Sequence, residues 1–133
     1  NMTYNEDMEK GDETIAIEGN QAPATPEFSV KTGAIFSMGG WKTSILAKHN
    51  GKRYGDATNK EEIDGYTVTD MTISYNKNPF NTLKSFKASL EIKNLFDTKY
   101  VGAINALDDA RQGNASYYAG PPRSIIGTVA VKF

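Results

Sequence analysis

Apolar and polar residues alternate along most of the chain after residue 27, with the two-residue period of a β-strand. Five runs carry the pattern, at residues 28–38, 41–54, 65–76, 83–96 and 123–133. In the clearest run the apolar positions are Phe86, Ala88, Leu90 and Ile92, and the positions between them are Lys87, Ser89, Glu91 and Lys93. Because charged side chains cannot share an apolar core, each strand is predicted to have one apolar and one polar face.

The lengths of the runs and of their connections favour a barrel wall. The runs have about 10 to 14 residues, which is longer than the usual strand of globular sheets and suits the tilted strands that cross a bilayer. Gly39 and Gly40 predict a two-residue hairpin turn, and residues 76–81 a second short turn, whereas 55–64 and 97–122 are predicted as long loops. Short turns on one rim and long loops on the other are typical of outer-membrane barrels. The predicted fold class is therefore all-β, with antiparallel transmembrane β-barrel strands.

The polar face is predicted to line a water-filled lumen. A charge that faces hydrocarbon costs up to about 2–4 kcal/mol at the midplane of the bilayer, so the charged side chains of the strands should point inward. The predicted lumen-facing residues are Lys31, Lys42, Lys48, Asp70, Lys87, Glu91, Lys93 and Lys132.

Periodicity alone leaves a soluble fold open. An antiparallel sandwich or a lipocalin-like barrel would use the same apolar face as its core and the lysine-rich face as its surface. The strand count adds a constraint, because the smallest membrane barrels have about eight strands. The membrane interpretation therefore requires further strands from outside this sequence.

Composition narrows the function classes. The 133 residues carry 15 Lys+Arg and 16 Asp+Glu, which gives no excess of cations for binding nucleic acid. There is no cysteine and His49 is the single histidine, so neither catalysis nor a metal site is expected, and no cofactor. No run approaches the roughly 18 apolar residues of a membrane-spanning helix. Since the chain starts at Asn1 and not at Met, we interpret it as part of a longer chain or as a processed product.

Four motifs occur in an order that resembles a known family. They are GKRYGD at 51–56, GYTVTD at 65–70, LEIKNLFDTKY at 90–100 and YAGPPR at 118–123, followed by a strand that ends in Phe133. In this order they resemble the C-terminal part of TonB-dependent outer-membrane receptors, over residues 23–133.

The resemblance implies a 22-stranded barrel in the bacterial outer membrane, which contains a plug domain and takes up ferric siderophores, haem, cobalamin or sugars. Residues 1–26 would be an extracellular loop and a strand end, and 27–133 the C-terminal five strands of the barrel. The resemblance does not extend to the plug, the energy-coupling box or most of the barrel, so this segment would not transport alone. Its implied partners are outer-membrane lipid, the remaining barrel and plug, the TonB energy-coupling complex, the barrel assembly machinery and an iron chelate. Phe133 resembles the signal that the assembly machinery recognises.

Ligand capture in this family involves extracellular loops, so the loop from 102 to 120 is the predicted binding segment. Arg111, Tyr117 and Tyr118 could bind an anionic, aryl-bearing iron chelate through charge pairing and stacking. The tyrosines could equally be packing or interface residues. Asp108 and Asp109 are interpreted as a solvated loop tip and not as a cation site. The residues predicted for the aromatic belt at the membrane interface are Trp41, Phe96 and Tyr100.

Overall fold

The computed structural model of the protein describes residues 2–77, 85–106 and 113–132. Eleven β-strands are found in these ranges. Among the same residues, no helix has the length and hydropathy that spanning a membrane requires. The strands are β1 (Met8–Lys10), β2 (Glu13–Ile15), β3 (Ser29–Met38), β4 (Trp41–Asn50), β5 (Arg53–Tyr54), β6 (Glu62–Ile63), β7 (Tyr66–Lys77), β8 (Ser85–Lys93), β9 (Val101–Asn105), β10 (Ser116–Ala119) and β11 (Ser124–Lys132).

The five long strands form one sheet in the order β11-β8-β7-β4-β3. They coincide with the five predicted runs to within a few residues at each end. Gly39 and Gly40 join β3 to β4 with φ angles of 57° and 91°. Positive φ at both central residues is what a type I′ hairpin turn requires, and glycine adopts it without strain. The prediction of a two-residue turn is confirmed.

The register of the sheet places most apolar residues of β8 opposite apolar residues, although Ile126 of β11 lies on the polar side. Leu90 of β8 lies opposite Gly127 of β11 on one side and Ile73 of β7 on the other. One position along, Glu91 lies opposite Ile126 and Thr72. The rings of Trp41 and Tyr75 are in contact at 4.8 Å, which puts the apolar faces of β4 and β7 on the same side. The predicted division into an apolar and a polar face is therefore present across the sheet.

The apolar face of the sheet is not covered by the described part of the chain. Leu90 keeps 39% of its surface exposed and Val129 keeps 68%. In the described ranges, the buried hydrophobic residues are Ile17 and Ala57, and neither belongs to the five-stranded sheet. A sandwich or a lipocalin-like barrel needs a second layer against this face. Residues 2–77, 85–106 and 113–132 provide none, so the soluble alternative is not supported.

The chain divides into two compact units, which we call the sheet unit and the loop-rich unit. The sheet unit is formed by Lys31–Lys48, Thr67–Thr98 and Pro122–Phe133, and the loop-rich unit by Asn1–Val30, His49–Tyr66 and Lys99–Pro121. In the loop-rich unit, Tyr4, Met8 and Ile15 pack against the buried pair Ile17 and Ala57.

The predicted loops contain short strands, which corrects the sequence interpretation. Within 97–122, β9 and β10 pair as antiparallel strands with a register shift between Tyr118 and Ala119. Within 1–27, β1 pairs with β2, and β6 in the predicted loop 55–64 pairs with β5. Two to five residues give too few alternations for the period to be detected. The assignment of 1–26 to the extracellular side remains a prediction.

The NLFDT motif at 94–98 forms a tight turn after β8. Asn94 accepts a hydrogen bond from Thr98 N at 2.9 Å and donates one to Thr98 O at 3.0 Å. Asn94 and Asp97 have φ angles of 50° and 53°, a region that Asn and Asp tolerate better than other side chains. Asp97 accepts a hydrogen bond from Arg123 N at 3.0 Å. The motif thus fixes the connection between β8 and the residues that precede β11.

Candidate ligand-binding site

A cleft of about 680 Å³ lies within the loop-rich unit. Residues of three segments surround it: the stretch that contains β6, the start of β9 and one position of β10. Its lining consists of Lys60, Glu61, Glu62, Ile63, Asp64, Gly65, Tyr66, Lys99, Tyr100, Val101 and Tyr117.

Two stacked tyrosines form one wall of the cleft. The rings of Tyr66 and Tyr100 lie 4.2 Å apart with an interplanar angle of 24°. The guanidinium of Arg53 lies 5.4 Å from the centre of the Tyr66 ring and donates a hydrogen bond to Val101 O. Asn50, which is buried, donates a hydrogen bond to Tyr66 Oη at 2.6 Å. These contacts fix the orientation of both rings before any ligand binds.

The position of Tyr100 depends on a glycine. An ideal Cβ on Gly120 would lie 2.1 Å from the Tyr100 ring, far inside van der Waals contact. Gly120 N also donates a hydrogen bond to Tyr100 O at 2.8 Å. Glycine at 120 is therefore required for the ring to lie against the backbone of the segment that follows β10.

Glu61 and Tyr117 also line the cleft and are hydrogen-bonded to each other. The Glu61 carboxylate accepts hydrogen bonds from the Tyr117 hydroxyl and from Gly113 N. Partial burial of the hydroxyl, together with the Glu61 carboxylate beside it, raises the pKa of Tyr117 to about 12. An ideal Cβ on Gly55 would lie 2.0 Å from the Tyr117 hydroxyl oxygen, so the hydroxyl reaches Glu61 only because residue 55 has no side chain.

Asp56 organises the loop that carries Glu61. It is 2% exposed, and its two carboxylate oxygens accept four hydrogen bonds: from Thr58 N, from the Thr58 hydroxyl, from Lys60 N at 3.0 Å and from Glu61 N at 2.7 Å. A carboxylate in this position supplies hydrogen-bond acceptors to backbone amides that a tight loop otherwise leaves without one. Asn59 has a φ angle of 57° and forms two hydrogen bonds with the backbone of Gln21, at 2.7 and 2.8 Å.

The two described residues of the predicted binding set, Tyr117 and Tyr118, differ in their position relative to the cleft. Tyr117 lines the cleft, whereas Tyr118, which follows it in β10, is 57% exposed and is not part of the lining. Successive residues of a strand point to opposite sides, which explains the difference. Tyr100, which the sequence analysis assigns to the aromatic belt, lines the cleft as well, and its place in the belt stays a prediction. Arg111, Asp108, Asp109 and Phe133 lie outside the described residues.

The predicted lumen residues of the sheet can be located from its ion pairs and strand register. Lys93 lies 2.7 Å from a carboxylate oxygen of Glu91 and 3.8 Å from one of Asp70, so these three charges meet on the polar face. Lys87 lies opposite Ala130 and Asn76, and Lys132 lies opposite Ser85. Lys31, Lys42 and Lys48 alternate with the apolar residues of β3 and β4. That this face meets a lumen remains a prediction.

Most of the cleft was missed by sequence reasoning, although a signal was present. The motifs at 51–56, 65–70 and 118–123 contain Arg53, Gly55, Asp56, Tyr66 and Gly120, each of which builds or supports the cleft. Their convergence is visible only in the fold, because Arg53 and Val101 are 48 residues apart in the chain. In the ranges that the structure describes, no group of three or more His, Cys, Asp or Glu side chains is arranged to hold a metal ion.

Comparison with known proteins identifies the family. The family described as "TonB dependent receptor-like, beta-barrel" matches residues 1–95, which is more than half of the chain. This chain belongs to the TonB-dependent receptor-like β-barrel family. The ferrioxamine B receptor of Salmonella typhimurium is 31% identical over 132 residues, which are 95% of this chain and 16% of that protein. The vitamin B12 transporter BtuB of Photobacterium profundum is 32% identical over 91 residues, 68% of this chain and 14% of the relative.

Solved structures agree on the fold. The ferric citrate transporter FecA in its unliganded form superposes with a TM-score of 0.68 at 23% identity, over 88% of this chain and 18% of FecA. BauA, the ferric preacinetobactin receptor of Acinetobacter baumannii, gives a TM-score of 0.64 at 21% identity, over 91% of this chain and 17% of BauA. The chain spans about one sixth of the length of the curated relatives that it matches over most of its residues. The expected fold class, strands of a TonB-dependent barrel, is confirmed.

Proposed function

We propose that this chain is a C-terminal part of the barrel of a receptor in the bacterial outer membrane that takes up a ferric siderophore or a similar iron chelate with energy delivered through TonB. The sheet forms part of the wall, with its apolar face toward outer-membrane lipid and its charged face toward the lumen. The remaining barrel, the plug and the TonB complex act through parts of the receptor that this sequence does not show. Phe133 is proposed as a signal for the barrel assembly machinery.

One observation carries this proposal: an in-register apolar face that the described residues leave uncovered. A protein in water rarely exposes a continuous apolar surface of this kind. In a bilayer the same surface is satisfied by acyl chains, while the strand ladder satisfies the backbone. Family membership and the names of the relatives support the further step from a membrane barrel to a receptor.

The cleft is proposed as part of the ligand-binding surface. Arg53 and Asn50 hold Tyr66 in place against Tyr100. Side chains that are already ordered lose little conformational entropy when a ligand binds. Of the two described residues in the predicted binding set, Tyr117 lines the cleft and Tyr118 does not. The contribution of Arg111 and Tyr118 stays a prediction.

Growth assays test the cargo. A strain that lacks this receptor and its other iron receptors should fail to grow under iron limitation on one ferric chelate, and the full-length receptor should restore growth. Gradient fractionation should recover the receptor with the outer membrane, in a folded form that migrates differently on gels after heating. A receptor that restores growth on no ferric chelate, or that fractionates as a soluble protein, would overturn the proposal.

A second cargo is favoured by a specific observation, the 32% identity to the vitamin B12 transporter BtuB. The assay therefore includes cobalamin, as well as sugars, which the same family was expected to carry. Unaffected iron uptake together with lost use of cobalamin or of a sugar would replace the iron chelate with that cargo, and would leave the membrane barrel in place.

A further inference from the structure

A groove on the polar face of the sheet is lined by hydrogen-bond donors and has no carboxylate in its lining. We propose that this groove, which we call the Lys87 groove, takes the carboxylate of an Asp or Glu side chain from another segment of the same receptor. The proposal rests on the proposed function, which turns the polar face toward the lumen and makes the plug that segment.

The Lys87 groove lies where β7, β8 and β11 run side by side, and its volume is about 310 Å³. The polar-face residues that line it are Ser74 and Asn76 of β7, Lys87 and Ser89 of β8, and Thr128 and Ala130 of β11. They form two rows across the strands. Lys87 lies between Asn76 and Ala130, and Ser89 lies between Ser74 and Thr128. The small side chains around Lys87 leave room for a side chain from another segment.

The chemistry of the lining suits a carboxylate. Lys87 is exposed and supplies an ammonium group. Asn76 adds amide N–H donors, and Ser89 and Thr128 add hydroxyl donors. The Ser74 hydroxyl is already used, because it donates to Lys42 O at 3.3 Å. Hydrogen bonds from an ammonium group to a carboxylate are about twice as strong as those between neutral groups, so a carboxylate is the partner that this groove binds best.

The sheet does not provide that carboxylate. None of the ion pairs among the described residues includes Lys87. Residues 71–90 and 123–133, which contain the whole lining, include no Asp or Glu. Glu91 is on the same face but four residues further along β8, roughly 13 Å away, and its carboxylate lies 2.7 Å from Lys93. Lys93 is thus neutralised within the sheet, whereas Lys87 is not.

The sheet unit as a whole has an excess of positive charge. Its ranges contain nine Lys and Arg residues against three acidic residues, Asp70, Glu91 and Asp97. The net charge of the whole chain is −1, so the acidic residues are concentrated in the loop-rich unit. A segment that packs against the polar face removes water from Lys87, and a cation that loses water without gaining an anion is costly. A segment with complementary negative charge avoids this cost.

A zero-length carbodiimide crosslink tests the contact directly. The reagent joins a lysine amine to a carboxylate only where the two groups touch, and it is applied to the folded full-length receptor in outer membranes. Mass spectrometry of the peptides should find Lys87 linked to an Asp or Glu of the plug, outside these 133 residues. Lys93 and Asp70, whose charged atoms lie 3.8 Å apart, are the positive control within the sheet.

Variants at two lysines of β8 locate the effect. Lys87→Gln keeps the polar face polar, so the barrel should still reach its heat-modifiable form. The crosslink should be lost, and hydrogen exchange of the linked plug segment should become about 3- to 10-fold faster, because a charge-assisted hydrogen bond is missing. Lys87→Arg keeps the charge and should keep exchange slow. Lys93→Gln, which removes an ammonium group that is paired within the sheet, should leave the Lys87 crosslink and the exchange of the plug segment unchanged.

The outcomes separate this proposal from the proposed function. If the receptor restores iron-limited growth but Lys87 is unlinked and reacts with an acetylating reagent, Lys87 is solvated and the docking site is wrong, while receptor function stands. A link from Lys87 to a different protein, or to a carboxylate of these 133 residues, also overturns the docking site. If no ferric chelate restores growth, the proposed function fails, and the crosslink still decides the contact because it does not depend on the cargo.

Discussion

The two units of this chain are stabilised in opposite ways. In the sheet unit, large apolar side chains stay exposed and the strands are joined chiefly by their backbone ladders. In the loop-rich unit, polar side chains are buried and bonded to the backbone of distant segments, as Asn59 is to Gln21. The apolar face of the first unit is left uncovered by the described residues, whereas the second bonds many of its buried polar side chains internally. Nε of the buried Arg53 is an exception, because it has no hydrogen-bond partner among the described residues. In the proposed function, lipid covers the apolar face of the sheet.

We expect the largest effect from a charge that is placed on the apolar face of the sheet. Leu90→Lys should strongly reduce assembly, because it puts a cation on the apolar face at a cost of about 2–4 kcal/mol. Lys87→Leu changes the polar face of the same strand and should be tolerated. The measurement is the fraction of full-length receptor in the heat-modifiable form. Equal losses for both variants would contradict the facing that we assign.

Asp56 tests whether the loop-rich unit depends on its buried polar groups. Asp56→Asn keeps the shape of the side chain but replaces one acceptor oxygen with a donor, which leaves two of its four hydrogen bonds without an acceptor. Local stability should fall by about 1–3 kcal/mol. Hydrogen exchange of the amides of residues 58–61 in the full-length receptor measures the loss. The control, Asp12→Asn, lies at an exposed position. Unchanged protection in Asp56→Asn would show that this carboxylate is dispensable.

A glycine pair tests how tightly each unit is packed. Gly120→Ala should push the Tyr100 ring away, because the new Cβ would lie 2.1 Å from it. We expect a loss of about 1–3 kcal/mol in local stability and weaker ligand binding. Gly127→Ala in β11 is the matched control, since its Cβ would meet no atom within 4 Å. Ligand affinity and hydrogen exchange of residues 100–105 report both. Similar behaviour of the two variants would remove the case for a pre-formed aromatic wall.

The smallest effect is expected from pH. Hydrogen bonds from Glu18 N and Ile17 N, both at 2.8 Å, lower the pKa of Asp7 below its usual 3.8. A carboxylate with a lowered pKa stabilises the folded state above its unfolded pKa and loses this contribution as pH falls through the folded value. The protection of the two amides, measured relative to their intrinsic exchange rates at each pH, should therefore fall once the pH drops well below 3.8. Asp7→Asn should remove the pH dependence. If the protection of these two amides in the wild type does not change with pH, the role of Asp7 is refuted.

The long strands were predictable because each extends over nine or more residues, long enough for the alternation to be read. The hairpin turn was predictable because two consecutive glycines readily adopt the positive φ angles that a two-residue turn requires. The short strands β6, β9 and β10 were not, since two to five residues are too few for the alternation to be detected. Of the three predicted binding residues, Tyr117 lies in the cleft, Tyr118 is outside its lining and Arg111 is outside the described residues.

The sequence by itself determined that one face of each long strand is apolar and the other polar, because in a strand this depends only on the parity of position. Only the tertiary structure decided that Glu61, Tyr66, Tyr100 and Tyr117 line one cleft and that Arg53 lies over the Tyr66 ring. Those contacts join residues up to 56 positions apart. Their formation depends on which loops pack together and on glycines that leave room for rings, and neither is encoded in a local period.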